Sequence, residues 1–170
     1  MADSYNLVGF QNHLKFPEQQ RVFRMIPGLE KAEFLRFGQI HRNSYIHAPR
    51  LLDATLQTKT RPNLLFAGQI CGCEGYIEAI ATGLLAGLNA ARLAAGLPPE
   101  TPPEATALGS LVRYLAAPQE HFQPANITFG LLTGTPPEVL AIRDRKERRR
   151  IQTQQALEAM QRWIELIKVK

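Results

Sequence analysis

The chain has 170 residues, 45% of them hydrophobic, two cysteines and a formal net charge of +5. That composition supports a core of ordinary domain size and excludes a globally disordered chain. A uniformly basic surface is excluded too, because residues 143–170 alone hold nine Lys/Arg against four Asp/Glu and carry the whole excess.

The polar start MADSYN has no basic-then-apolar leader pattern, which points to a cytoplasmic protein. Residues 5–10 (YNLVGF) and 21–26 (RVFRMI) have the composition of strands, with Pro17 in the polar segment between them. Residues 27–37 open on a Pro-Gly turn and suit a short helix or an irregular strand. Residues 38–47 alternate partly around Ile40, Tyr45 and Ile46, and 48–58 read as a brief helix or turn. Leu64, Leu65, Phe66 and Ala67 form an unbroken apolar run, the pattern of a strand covered on both faces. A glycine-rich turn follows, and then a helix over 76–95. In it, Ala79, Gly83, Gly87 and Ala91 recur every four residues and make a stripe along which a sheet or a cofactor could lie close. Each glycine there costs about 1 kcal/mol of helix propensity. Glu78, Asn89 and Arg92 interrupt the apolar run 76–97, so a buried helix is expected rather than a membrane span, and no membrane partner. Beyond a proline-rich connection, a short helix is expected over 107–116 and strand- and turn-like pieces over 117–137. A last helix or helix pair is expected over 138–169, with Leu157, Met160, Ile164 and Ile167 on one face and Trp163 at its edge.

Strand, glycine loop and helix in that order predict an α/β fold with a nucleotide or cofactor pocket at the loop. The loop GQICGCEGY offers Gly68, Gly72 and Gly75, and it ends at a helix N-terminus, where free N–H groups favour an anion or a polarised carbonyl. A reduced flavin, negative around N1 and the C2 carbonyl, suits such a place. The G-x-G-x-x-G order is absent, so the spacing by itself is generic. A disulfide between Cys71 and Cys73 would be badly strained across one residue, and two thiols without further ligands make no metal site.

The residues themselves are more specific. FAGQICGCEGYIEAIATGLLAG, at 66–87, resembles the C-terminal cofactor-binding segment of the TrmFO family, the folate- and flavin-dependent tRNA (uracil-5-)-methyltransferases related to GidA-type flavoproteins. YNLVGFQNHLKFPEQQRVFRMIPGLEKAEFLRFGQIHRNSYIHAP, ALGSLVRYL, FQPANITFGLL and the basic RKERRR are similar to family segments in the same order. The resemblance implies a partial Rossmann-like FAD-binding fold. Residues 1–60 would be a substrate-side segment, and 61–170 the C-terminal part of the FAD-binding domain with a basic helical tail. It implies methylenetetrahydrofolate as carbon donor, FAD as cofactor, NAD(P)H as reductant and the T-loop uridine of tRNA as target. Gly68, Gln69, Gly72, Glu74, Gly75 and Tyr76 would line the flavin. His41, Arg42 and Asn43 would face the folate, the imidazole on the pterin and the guanidinium near the acidic tail. Arg143, Arg145, Lys146, Arg148, Arg149 and Arg150 would meet tRNA phosphates, although a solvated helix face with internal Glu–Arg pairs explains the same run. The family's glycine fingerprint and nucleophilic cysteine have no counterpart here, so no catalytic residue is assigned and the chain alone should not transfer methyl groups. Two further readings stand beside this one: a basic tRNA-binding module, and one half of a split enzyme that pairs with an N-terminal half or with itself.

Overall fold

The computed structural model describes residues 4–9, 12–38 and 43–168. Contacts divide the chain into two compact units, Met1–Arg42 and Asn43–Lys170.

In the first unit, α1 spans Phe16–Phe23, with Pro17 in its opening turn and Glu18 beside it. Both choices suit a helix start: proline needs no N–H partner there, and the carboxylate complements the dipole. The Arg21–Phe23 part of the expected strand therefore lies in a helix. Buried Gln19 fastens the unit. Its amide donates to the carbonyls of Leu14 and Gly38, each at 2.9 Å, and accepts from the Gly38 N–H at 3.1 Å. Phe16, Phe37 and Phe34 stack in series, with centroids 5.6 and 5.8 Å apart.

The second unit contains α2 (Ala48–Leu51), α3 (Tyr76–Ala94), α4 (Ala107–Ala116), α5 (Pro137–Leu140) and α6 (Arg145–Lys168). Its core gathers Leu52, Leu56, Leu85, Leu111, Leu115 and Phe122, together with both cysteines. α4 carries much of that core. Thr106 caps it by accepting from the Gly109 N–H at 3.0 Å, and Gly109 lies so close to the Pro103 carbonyl that no side chain would fit.

The expected α/β, Rossmann-like fold is not what forms. Among the described residues there is no sheet. Three isolated bridges, Leu52–Thr58, Gln57–Leu65 and Cys73–Ala125, are the only β-type pairings, and the structure is 48% helical. The run Leu64–Ala67 pairs its backbone with the tight turn before it, through Thr58 N–H to Leu64 O (2.8 Å) and Phe66 N–H to Leu56 O (3.1 Å), and packs Phe66 against the core. An apolar run records a capacity to pair, and a sheet needs further strands beside it.

α3 also departs from expectation. Its inward side carries Thr82, Asn89 and Arg92, all buried, alongside Leu85. Asn89 donates to the carbonyls of Thr55 (3.0 Å) and Glu100 (2.9 Å) and accepts from the Glu100 N–H (2.8 Å). Arg92 donates to Pro98 O at 2.7 Å and pairs with Glu100 at 3.1 Å. The residues that interrupt the apolar run thus face the protein, and the small-residue stripe does so only at Ala79, against Gly68: Gly83 and Gly87 have open space where a side chain would be. On α6, Trp163 packs against the core and Gln152 is buried on Thr135 Oγ1 at 2.9 Å, whereas Leu157 and Ile164 point to solvent.

Candidate functional site

The glycine loop is a turn of 3-10 helix, Gly68–Cys71, followed by a crossing into α3. Gly68, Gly72 and Gly75 have φ of +73°, +87° and +106°. Gly72 needs its glycine on two counts, because an added Cβ would also sit 2.5 Å from the Phe122 ring. Three segments hold the loop. The Gly68 N–H donates to Thr82 Oγ1 at 3.0 Å, and the Thr82 hydroxyl donates to Glu78 O at 2.7 Å. Residues 122–127 run beside the loop: Ala125 N–H reaches Gly72 O at 3.0 Å, Glu74 N–H reaches Ala125 O at 3.1 Å, and Ile127 N–H reaches Glu78 Oε1 at 3.1 Å. The Ile46 N–H donates to Ile70 O at 2.9 Å. Phe122 lies beneath, with Tyr45, His47 and Tyr114 about its ring at 5.8–6.0 Å.

The outer side of this clamped loop is open. Gln69, Glu74, Gly75 and Tyr76 are exposed. Gly75 caps α3 and supplies no side chain to its first-turn N–H groups. No side chain caps the helix N-terminus that follows this clamped loop, and the Glu78 carboxylate lies beside Gly75, so the start of α3 can meet a carbonyl edge more readily than a full anion.

The profile of the glucose inhibited division protein A family matches residues 1–98. The chain belongs to that family. It is 56% identical over 165 residues to the methylenetetrahydrofolate–tRNA-(uracil-5-)-methyltransferase TrmFO of Koribacter versatilis, covering 96% of this chain and 37% of that protein. TrmFO of Solibacter usitatus is 56% identical over 169 residues, 95% of this chain and 37% of its own length. TrmFO of Enterococcus faecalis is 57% identical over 148 residues, 86% of this chain and 33% of its own. The GidA-family chain therefore matches a fragment of TrmFO and spans about a third of the length of these curated relatives.

The six residues expected at a flavin come together on the loop of this GidA-family chain. Five of them are at least partly accessible, and Gly72 is buried as its floor. Of the expected folate residues, Asn43 is exposed three positions before the Ile46–Ile70 bond, and His41 and Arg42 lie outside the described residues. The basic run splits by partner. Arg150 forms a two-pronged pair with Glu147 (2.8 and 2.9 Å), Arg148 donates to Ile142 O at 3.1 Å, and Arg149 covers the Phe129 ring at 4.9 Å. Arg143, Arg145 and Lys146 are exposed.

Sequence reasoning missed the residues that shape the loop. Thr82 and Phe122 gave no separate signal, and Glu78 was legible only as a polar break in the apolar run 76–97. The FQPANITFG segment could have revealed the clamp, since its similarity to the family runs beside that of the loop itself.

Cys71 and Cys73 are buried under the loop. Burial pushes the Cys71 thiol up to about 12, with the Cys73 charge adding to it. Burial likewise pushes Cys73 up to about 11, opposed by a hydrogen bond to Thr82 and aided by the Glu78 charge. Both thiols are protonated at neutral pH and are poor nucleophiles. A thiol reagent at pH 8 is expected to label neither in the native protein and both after unfolding. Because both folded-state values exceed the ordinary 9.0, their contribution to stability is complete below that pH and is lost as pH rises toward 11–12. The slope is about 1.4 kcal/mol per thiol per pH unit. Denaturation midpoints followed across that range should fall, and Cys71→Ala/Cys73→Ala should fall less.

Proposed function

We propose that this chain is part of a folate- and flavin-dependent tRNA (uracil-5-)-methyltransferase and supplies one wall of its FAD pocket. The observation that carries this reading is the loop: three left-handed glycines and an uncapped helix N-terminus, within a segment that matches TrmFO proteins at 56% identity. The residues present fit a flavin. Gly68, Gly72 and Gly75 give the loop the left-handed turns that fold it tightly over Ala79 and Phe122, the N–H groups at the start of α3 meet the carbonyl edge of the ring, and Gln69, Glu74 and Tyr76 stand around it. When bound, FAD supplies the reducing equivalents. The chain's own part is to hold and orient the ring system and to keep water from its covered face. His41, Arg42 and Asn43 bind the folate donor. Residues 1–60 form the substrate side, and 61–170 the flavin side with the basic helix. The nucleophilic thiol belongs to the part of the relatives outside the match, since Cys71 and Cys73 are protonated and covered. NAD(P)H reduces the flavin, and the protein works in the cytoplasm.

The test is methyl transfer to an unmodified tRNA transcript, with methylenetetrahydrofolate, FAD and NAD(P)H present. The chain alone is expected to form no 5-methyluridine. Joined to the remaining portion of the K. versatilis relative, it is expected to form it. Product from the chain alone, or none from the joined protein, contradicts the proposal.

A second reading is favoured by one observation: Arg143, Arg145 and Lys146 are exposed, whereas Arg148 and Arg150 are already engaged within the protein. tRNA phosphates would then meet the start of α6. Neutralising those three residues is expected to reduce the salt slope of tRNA binding by about 0.9 for each lost contact. Binding that does not vary with salt counts against it.

A further inference from the structure

α3 packs Leu85 and Leu88 on the core yet leaves a second apolar face outward. Thr82, Asn89 and Arg92 are turned into the protein and hydrogen-bonded there, whereas Ile77, Ile80 and Leu84 are 74%, 68% and 74% exposed. At about 100° per residue the three apolar side chains fall on one arc of the helix, with Gly83 and Gly87 beside them. A Cβ added at either glycine would meet nothing within 4 Å, so another backbone could approach closely there. No charged residue interrupts this arc between positions 76 and 91. Contiguous apolar surface of this kind marks a face that is covered in the working protein.

The relatives indicate what covers it. The chain covers 37% of the K. versatilis protein while aligning over 96% of itself, so more than three fifths of that protein lies outside the match. We propose that the outer face of α3 is the seat on which that remaining polypeptide of the family packs, with Ile77, Ile80 and Leu84 as its apolar anchors. The inference rests on family membership and not on the flavin reading, so packing and flavin binding can fail separately. α3 also has the length and composition of a membrane span. Its inward side nevertheless carries buried Arg92, paired with the partly exposed Glu100, and a buried asparagine, which tie it to its own protein.

The experiment compares Leu84→Cys in two settings, the isolated chain and a full-length chimera in which this chain replaces the matching residues of the K. versatilis relative. Maleimide labelling of Leu84→Cys is expected to be at least tenfold slower in the chimera. Leu166→Cys, on an exposed position of α6, is expected to label at similar rates in both. As a second reading, Ile80→Asp/Leu84→Asp should leave the helicity of the isolated chain unchanged and lower the thermal midpoint of the chimera. Equal labelling of Leu84→Cys in the two proteins overturns the proposal. So does protection of the isolated chain that rises with its own concentration or with added phosphatidylcholine vesicles, because the face would then belong to a second copy or to lipid.

Discussion

Gly72→Ala is expected to destabilise the chain by about 3 kcal/mol, from left-handed backbone strain and from overpacking together. The φ of +87° already disfavours any Cβ, and the new methyl would sit 2.5 Å from the Phe122 ring. That ring has little room to retreat, since Tyr45, His47 and Tyr114 lie around it. The loss follows from urea denaturation, read as a shift in midpoint at constant slope. Adding Phe122→Leu should relieve the clash and not the backbone strain, so the double variant should be less destabilised than the sum of the two single ones. A loss below about 1 kcal/mol for Gly72→Ala would mean that the loop is not held as described. The consequence reaches the site, because Gly72 is the floor from which Gln69, Glu74 and Gly75 are presented.

Asn89→Ala should cost about 3 kcal/mol, since it leaves three partly buried backbone groups, Thr55 O, Glu100 O and Glu100 N–H, without their partner. Asn89→Asp sharpens the assignment. It puts a carboxylate oxygen where an amide now donates to two carbonyls, so the new acid would be harder to ionise folded than unfolded. Its stability should therefore be greatest below the ordinary aspartate range, near pH 4, and fall as pH rises toward 7. The wild type, with a neutral amide there, provides the baseline for the same pH series. A variant whose stability relative to wild type is flat between those values would contradict the geometry.

The longer helices of the second unit were legible in the sequence: α3 begins at the expected Tyr76 and α4 matches its expected bounds of 107–116, whereas α1 was missed because the apolar residues of 21–26 read as a strand. The lack of a sheet among the described residues was not legible, because Leu64–Ala67 reads as a covered strand whether or not other strands exist to pair with it. The direction of α3 was hidden for a related reason. Periodicity shows that a helix has two sides, and the usual assignment buries the apolar one. Here Asn89 and Arg92 find carbonyls at Thr55, Glu100 and Pro98, contacts that no local pattern announces. The loop glycines were legible as a tight turn, which their left-handed backbone bears out, and similarity of the surrounding residues suggested its chemical class. The clamp formed by Glu78, Thr82 and Ala125 depends on a contact between segments 49 residues apart and emerged only in three dimensions.

The most direct measurement of the central claim is the flavin content of the purified protein, read from visible flavin absorbance against protein concentration. The isolated chain presents one wall of a pocket and is expected to carry almost no FAD. The full-length chimera with the K. versatilis portion is expected to carry it stoichiometrically, and to lose it when Gly75→Val crowds the start of α3. Stoichiometric FAD on the isolated chain, or undiminished FAD in the Gly75→Val chimera, would contradict the assignment of residues 68–76 as the flavin-facing loop.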